Sequence, residues 1–158
     1  MEQLYIICVD DQREVLSALS DDLAVFQKHL LIEECESAEE AHEVINELEN
    51  NGEHIGVIIT DHVMPGTTGV SFLAELKKNG SLKNTGKILL TGLADHQDTI
   101  QAINDTDIDS YIEKPWEKEN LHTTIKKLLT RYIIKSGLDH TGRTEILDSQ
   151  ELYRLMQN

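Results

Sequence analysis

Basic residues are scarce in this 158-residue chain, where 14 Lys and Arg stand against 29 Asp and Glu and the formal charge is -15. A surface of that sign repels a phosphate backbone, so direct binding of DNA or RNA is not expected. Cysteine is almost absent: Cys8 and Cys35 each sit in an apolar strand-like run, and neither has the CxxC spacing of a zinc or redox site. Buried, reduced thiols are the expectation. Proline is confined to Pro65 and Pro115, both just past strand-like runs, where loops belong. No apolar run approaches the roughly 18 residues of a membrane span. Met1-Glu2-Gln3-Leu4 also lacks the positive region and apolar stretch of a signal peptide. These absences imply a soluble, cytoplasmic protein with no membrane segment.

What is present is enough hydrophobic material, 39% of the residues, for one well-cored domain and a short appendage. Strand-length apolar runs occur at Leu4 to Val9, Leu30 to Glu34, Ile55 to Thr60, Lys87 to Thr91 and Ser110 to Ile112. Amphipathic segments fill the gaps. Val15, Leu16, Leu19, Leu23 and Phe26 form the first stripe, Ala41, Val44, Ile45 and Leu48 the second, and Val70, Leu73 and Leu76 the third. The fourth segment, Gln97 to Asn104, offers only Ile100, Ala102 and Ile103, which predicts a short, loosely held helix. Leu121, Ile125, Leu128 and Tyr132 form the fifth, and Leu129 and Ile133 widen that stripe enough to suggest a homodimer face. Ile6 to Val9, Val57 to Ile59 and Ile88 to Leu90 are continuously apolar, as strands of a parallel sheet buried on both faces are. The order βαβαβαβαβα with right-handed crossovers then gives an α/β fold, a doubly wound five-stranded parallel sheet with helices on both faces.

Beyond about Lys135, the polar stretch Ser136, Gly137, Asp139, Thr141, Gly142 and Thr144 has no apolar period and reads as a linker. Asp148-Ser149-Gln150-Glu151 has the spacing of a helix-start capping box, and Leu152, Leu155 and Met156 fall on one face. The expected organisation is therefore a domain over residues 1–135, followed over 136–158 by a polar linker and a short C-terminal helix. That tail is either an arm packing on a partner or second subunit, or the start of an output region.

The chemistry-bearing residues stand at strand ends. Val9 leads into Asp10-Asp11, Thr60 into Asp61, Leu90 into Thr91-Gly92, and Ile112 through Glu113 into Lys114-Pro115. In an open parallel sheet, ligands bind in the crevice beyond the carboxyl ends of the strands. Two carboxylates about 4 Å apart repel by roughly 4 kcal/mol at an effective dielectric near 20, so such a cluster invites a cation. An all-oxygen donor set favours Mg²⁺, which keeps several waters, whereas zinc would want His or Cys. The seven histidines, at positions 29, 42, 54, 62, 96, 122 and 140, share no ligand spacing and are assigned to the surface.

Residues 1 to about 135 resemble the receiver domains of two-component response regulators. That family has an acidic pair after the first strand, Asp after the third, Thr or Ser after the fourth and Lys-Pro after the fifth. The resemblance implies the flavodoxin-like strand order 2-1-3-4-5. It also implies that Asp61 is the phosphoacceptor, and that Asp10, Asp11, Asp61 and the main-chain carbonyl of Val63 hold Mg²⁺. Thr91 and Lys114 would contact the phosphoryl group, with Thr91 and Tyr111 as the switch pair. The donor would be a sensor histidine kinase or phosphotransfer protein, and the readout an effector protein or fused output domain. The readout face would be made by the fourth and fifth amphipathic segments and the fifth strand. A domain of this kind is not a dedicated enzyme, though it catalyses its own phosphorylation and dephosphorylation.

Val63 and Leu93, each two residues past a site residue, are apolar where many receivers place polar groups, which bears on phosphoryl lifetime. The run Leu89-Leu90-Thr91-Gly92-Leu93-Ala94-Asp95, with Lys114-Pro115-Trp116, is similar to a subgroup often fused to signalling enzymes. No such output domain is expected within these residues. Trp116 itself reads as a packing residue. Two rival readings are an aspartate-nucleophile phosphatase, which wants Asp-x-Asp where this chain has adjacent acids, and an interaction module that keeps the fold without phosphorylation.

Overall fold

The computed structural model describes residues 3–92 and 108–157. Five parallel strands, β1 (Leu4–Val9), β2 (Leu31–Cys35), β3 (His54–Asp61), β4 (Gly86–Thr91) and β5 (Ser110–Glu113), form one sheet in the order β2-β1-β3-β4-β5. The described helices are α1 (Arg13–Leu23), α2 (Ala38–Asn50), α3 (Gly69–Lys77), α4 (Lys118–Ser136) and α5 (Ser149–Met156). The fold class and the strand order are those expected. The segment Gln97 to Asn104, and Leu93 with it, lie outside the described residues. None of the described helices is long and apolar enough to cross a membrane.

Alternation along each strand divides the core in two. Ile6, Cys8, Val57, Ile59, Ile88, Leu90 and Ile112 point to one face, where α1 contributes Leu16, Leu19 and Leu23 and α4 contributes Leu121, Ile125, Leu128 and Tyr132. Ile7, Val9, Ile58 and Leu89 point to the other, against Ala41, Ile45 and Leu48 of α2 and Phe72, Leu73 and Leu76 of α3. Both faces are thus covered, which is why the strands read as unbroken apolar runs. Cys8 and Cys35 are buried and free. They serve opposite clusters, and burial raises both thiols, Cys35 to about 12. Neither is a nucleophile at neutral pH.

Caps fix the helix ends. Ser37 accepts from the Glu40 amide at the start of α2, Thr68 from the Ser71 amide at the start of α3, and Asp148 from the Glu151 amide at the start of α5. The last of these is the cap that the sequence spacing predicts. Helix α4 ends at Gly137, whose φ of 74° lets the Leu138 amide turn back to the Ile133 carbonyl.

The chain after Gly137 folds back on the domain. Ile146 is 1% exposed and joins Leu147 in the α1/α4 core, with Leu138 and Leu152 packed beside them. The Asp148 amide donates to Thr130 Oγ1 of α4 at 2.8 Å, and that hydroxyl donates to the Lys126 carbonyl at 2.7 Å. The tail helix therefore packs on α4 of its own chain. Leu129 and Ile133, the residues that suggested a homodimer face, are fully buried within this chain, so the stripe's width no longer argues for a second copy. The described histidines lie at the surface, as assigned, but are not freely solvated. All six described ones are half-buried. His54 bonds to the Tyr132 hydroxyl, His42 to Glu75, and His122 stacks edge-on against Phe26, because an imidazole presents both an apolar edge and a polar tip.

Candidate functional site

Each strand end delivers its side chain to one rim because parallel strands all finish on the same side of the sheet. Asp10 follows β1 and is fully buried; its amide donates to the Cys35 carbonyl, tying it to the edge of β2. Its Oδ1 accepts the Gln12 amide at 2.8 Å, leaving Oδ2 to face Lys114 at 3.2 Å. Asp61 closes β3, is buried, and places Oδ1 2.6 Å from Lys114 Nζ. Asp11 is exposed beside them. One carboxylate oxygen from each of Asp10, Asp11 and Asp61 lies within 4.8 Å of the other two. One ammonium thus pairs with two of three clustered carboxylates.

The charge imbalance shows in the titration of the two innermost groups. Burial raises the Asp10 carboxyl above its ordinary value and the Asp61 charge adds to that, while the Gln12 amide and Lys114 oppose the rise without cancelling it. For Lys114, burial pulls the ammonium down, but its hydrogen bond and charge contact with Asp61, and then Asp10, outweigh burial and leave it raised. The charged form is thus favoured on Lys114 and disfavoured on Asp10. Three oxygen donors of this kind, without nitrogen or sulfur, fit a hard divalent cation such as Mg²⁺.

The remaining residues frame this centre. Thr91 ends β4 fully buried, and its Oγ1 has no hydrogen-bond partner among the described residues. The Thr91 carbonyl accepts the Lys114 amide at 2.8 Å, so β4 fixes where the lysine leaves the sheet. Tyr111 pairs with Leu89 in the β4–β5 register and packs against the α2/α3 core, on the face of the sheet shared by Leu89 and Thr91. Val63 lies in a two-residue hairpin, Val63–Met64 against Thr67–Thr68, and its side chain is 60% exposed. Gly69 follows that hairpin, and a Cβ there would stand 2.3 Å from the Asp61 carbonyl oxygen. Only glycine lets α3 begin this close to the third acid.

Among the described residues, Asp10, Asp11, Asp61, Thr91 and Lys114 are found at this rim, with Val63 two residues beyond Asp61 and Tyr111 three before Lys114. Two contacts were not visible in the sequence. The Gln12 amide holds Asp10, and Asp22 of α1 accepts the Trp116 indole N–H at 2.8 Å. Neither has a motif, because a main-chain donor carries no residue identity and an acid near a helix end is ordinarily solvated.

Comparison with known proteins points the same way. Residues 6–126 match the family model of the response regulator receiver domain. The hydrogenase transcriptional regulatory protein HoxA of Cupriavidus necator is 30% identical over 126 residues, which cover 80% of this chain and 24% of that protein. The phosphate regulon transcriptional regulatory protein PhoB of Escherichia coli is 28% identical over 94 residues, 60% of this chain and 40% of that protein. The chain therefore matches less than half the length of these relatives. Among solved structures, a response regulator receiver domain protein from Clostridium thermocellum superposes with a TM-score of 0.71 at 25% identity, covering 84% of this chain and 98% of that one. An uncharacterized protein from Neptuniibacter caesariensis superposes with a TM-score of 0.73 at 24% identity, covering 90% and 98%.

Proposed function

Because the chain belongs to the response regulator receiver domain family, we propose that it is a phosphorylation switch in which Asp61 accepts a phosphoryl group and a protein-interaction surface changes in response. The observation that carries this reading is the convergence of Asp10, Asp11 and Asp61 within 4.8 Å, with Lys114 against two of them. Asp10, Asp11 and Asp61 would hold Mg²⁺, with the main-chain carbonyl of Val63 as a further donor. When bound, the ion neutralises the acids and offsets charge on the phosphoryl oxygens.

The carboxylate of Asp61 attacks phosphorus in line as the bond to the donor's leaving atom breaks, an imidazole nitrogen for a phosphohistidine donor or an oxygen for acetyl phosphate, and the leaving group departs with that electron pair. Lys114, already beside Asp61, follows the charge onto an equatorial phosphoryl oxygen. The Thr91 hydroxyl is buried without a partner among the described residues, and a phosphoryl oxygen would supply the acceptor it lacks. The phosphoryl group carries about -1.5 to -2 charge in place of the carboxylate's -1 and brings new acceptor oxygens, enough to draw Thr91 inward and let Tyr111, on the same face, follow. The donor in this reading is a sensor histidine kinase or a phosphotransfer protein, the receiver of the signal is an effector protein or fused output domain, and the setting is the cytoplasm.

Intact-mass spectrometry after incubation with acetyl phosphate and Mg²⁺ tests the reading. One phosphoryl adduct is expected on the wild type, absent from Asp61→Asn and absent without Mg²⁺. An unmodified wild type would count against phosphoryl acceptance and favour a module that works through its surface alone.

A further inference from the structure

Lys114 is held through its backbone at one further point than the strand-end pattern requires. Its amide is fixed by the Thr91 carbonyl on one side. Two residues later, the Trp116 indole N–H donates to Asp22 Oδ2 at 2.8 Å, while the ring packs against the α1/α4 core. Asp22 also receives a second contact. Its main-chain carbonyl can only accept, so His122 Nε2 carries the proton in the hydrogen bond between them, and the His122 ring stands edge-on to Phe26 at 5.3 Å between centroids. Asp22 thereby joins three elements: the last turn of α1, the loop that carries Lys114, and the first turns of α4.

We propose that Asp22 is a positioning residue for phosphoryl transfer: through its carboxylate on the Trp116 indole, it sets the path of the 114–117 loop and so the reach of the Lys114 ammonium. The inference rests on the phosphoacceptor reading of Asp61 and deepens it. A lysine is a point charge on a flexible four-carbon stem, so its placement depends on where the main chain releases it. A carboxylate acceptor makes this anchor about twice as strong as a neutral one. Loss of the anchor leaves the Thr91 carbonyl as the other fixed point near Lys114. Displacements near 1 Å are enough to slow an oriented reaction by up to about 100-fold. Because Lys114 also pairs with Asp10 and Asp61, the expected loss is smaller, about threefold to tenfold.

The test measures phosphoryl-adduct formation from acetyl phosphate in the full chain for wild type, Asp22→Ala, Asp22→Asn and Trp116→Phe. Thermal midpoints, and the fluorescence of Trp116, the single tryptophan, are recorded alongside. Asp22→Ala and Trp116→Phe are expected to lower the maximal labelling rate threefold to tenfold at an unchanged half-saturating acetyl phosphate concentration and an unchanged midpoint. Asp22→Asn, which keeps a weaker, neutral acceptor for the indole, is expected to restore most of the rate, and the Trp116 emission should shift more in Asp22→Ala than in Asp22→Asn. Wild-type rates in both Asp22→Ala and Trp116→Phe would overturn the inference. So would an equal loss in Asp22→Asn, or a loss that merely follows a lowered midpoint. A wild type that takes no phosphoryl group would overturn the reading of Asp61, and this inference with it, whereas labelled but indifferent variants would overturn this inference alone.

Discussion

At the carboxyl rim of the sheet, the side chains brought together repel one another; where residues 138–156 fold back on α4, they cohere. The rim clusters three carboxylates with one ammonium against two of them, keeps Asp10 out of water, and leaves the Thr91 hydroxyl without a partner among the described residues. The tail does the opposite. It buries Ile146 and Leu147 in the main core and finds a hydrogen bond for the amide of Asp148, the residue that caps its helix. One region is held in place by the scaffold against its own electrostatics, and the other adds to the scaffold. Polar groups left under-satisfied in an otherwise well-satisfied fold mark where a ligand is to be bound.

Substitutions at the tail should therefore cost stability, whereas at the rim the sign should depend on whether the ammonium or one of the acids is removed. The largest effect is expected at the tail, where Ile146→Ala should cost about 2–4 kcal/mol in urea unfolding, the ordinary range for emptying a buried aliphatic site. A neutral result would mean that the tail is not part of the cooperative unit. Next is Lys114→Met, which leaves Asp10 and Asp61 facing each other without their ammonium. A loss of about 2 kcal/mol is expected in magnesium-free buffer, limited because Asp10 can take up a proton.

The smallest effect has the opposite sign. Asp10→Asn keeps an acceptor for the Gln12 amide and removes one like charge, so a gain of about 1 kcal/mol is expected in magnesium-free buffer at neutral pH. Its pH dependence sharpens the comparison. The Asp10 carboxyl is raised in the folded protein, so the folded state binds that proton more tightly than the unfolded chain does. The stabilisation from this group is complete below the ordinary aspartate value of 3.8 and is lost as pH rises through the raised value. Urea midpoints of wild type and Asp10→Asn should therefore converge as the buffer is acidified and separate toward neutrality. Curves that stay parallel across that range would contradict the rim's electrostatic strain.

Much of this was legible in the residues. All five strands fall within a residue or so of the apolar runs that predict them, because strands buried on both faces leave a signal that needs no context. The acid pair, Asp61, Thr91 and Lys114 were readable for a different reason: parallel strands deliver their carboxyl ends to one rim, so five residues distant in sequence carry one spatial statement. What failed was local reading without tertiary partners. Ile146 and Leu147 follow a polar stretch with no period, and two adjacent apolar residues do not announce a docking contact. Leu129 and Ile133 looked like surplus apolar width, yet both are buried in the α1/α4 core, Leu129 beside Gly56 of β3. The histidines looked solvated because imidazole burial depends on neighbours such as Tyr132 and Phe26 that no spacing reveals. Asp22 was silent for the same reason.

The most direct test of the account is the thermal midpoint as a function of Mg²⁺ concentration, with and without beryllofluoride, for wild type and Asp61→Asn. A ligand that binds the folded state raises stability by mass action, by about 2.7 kcal/mol at 100 times its dissociation constant. A rim built to hold a cation and a phosphoryl group should give a saturable rise with Mg²⁺ in the wild type, a further rise with beryllofluoride, and a loss of that second step in Asp61→Asn. A wild-type midpoint indifferent to both would contradict the claim that the repulsion at the rim exists to bind them.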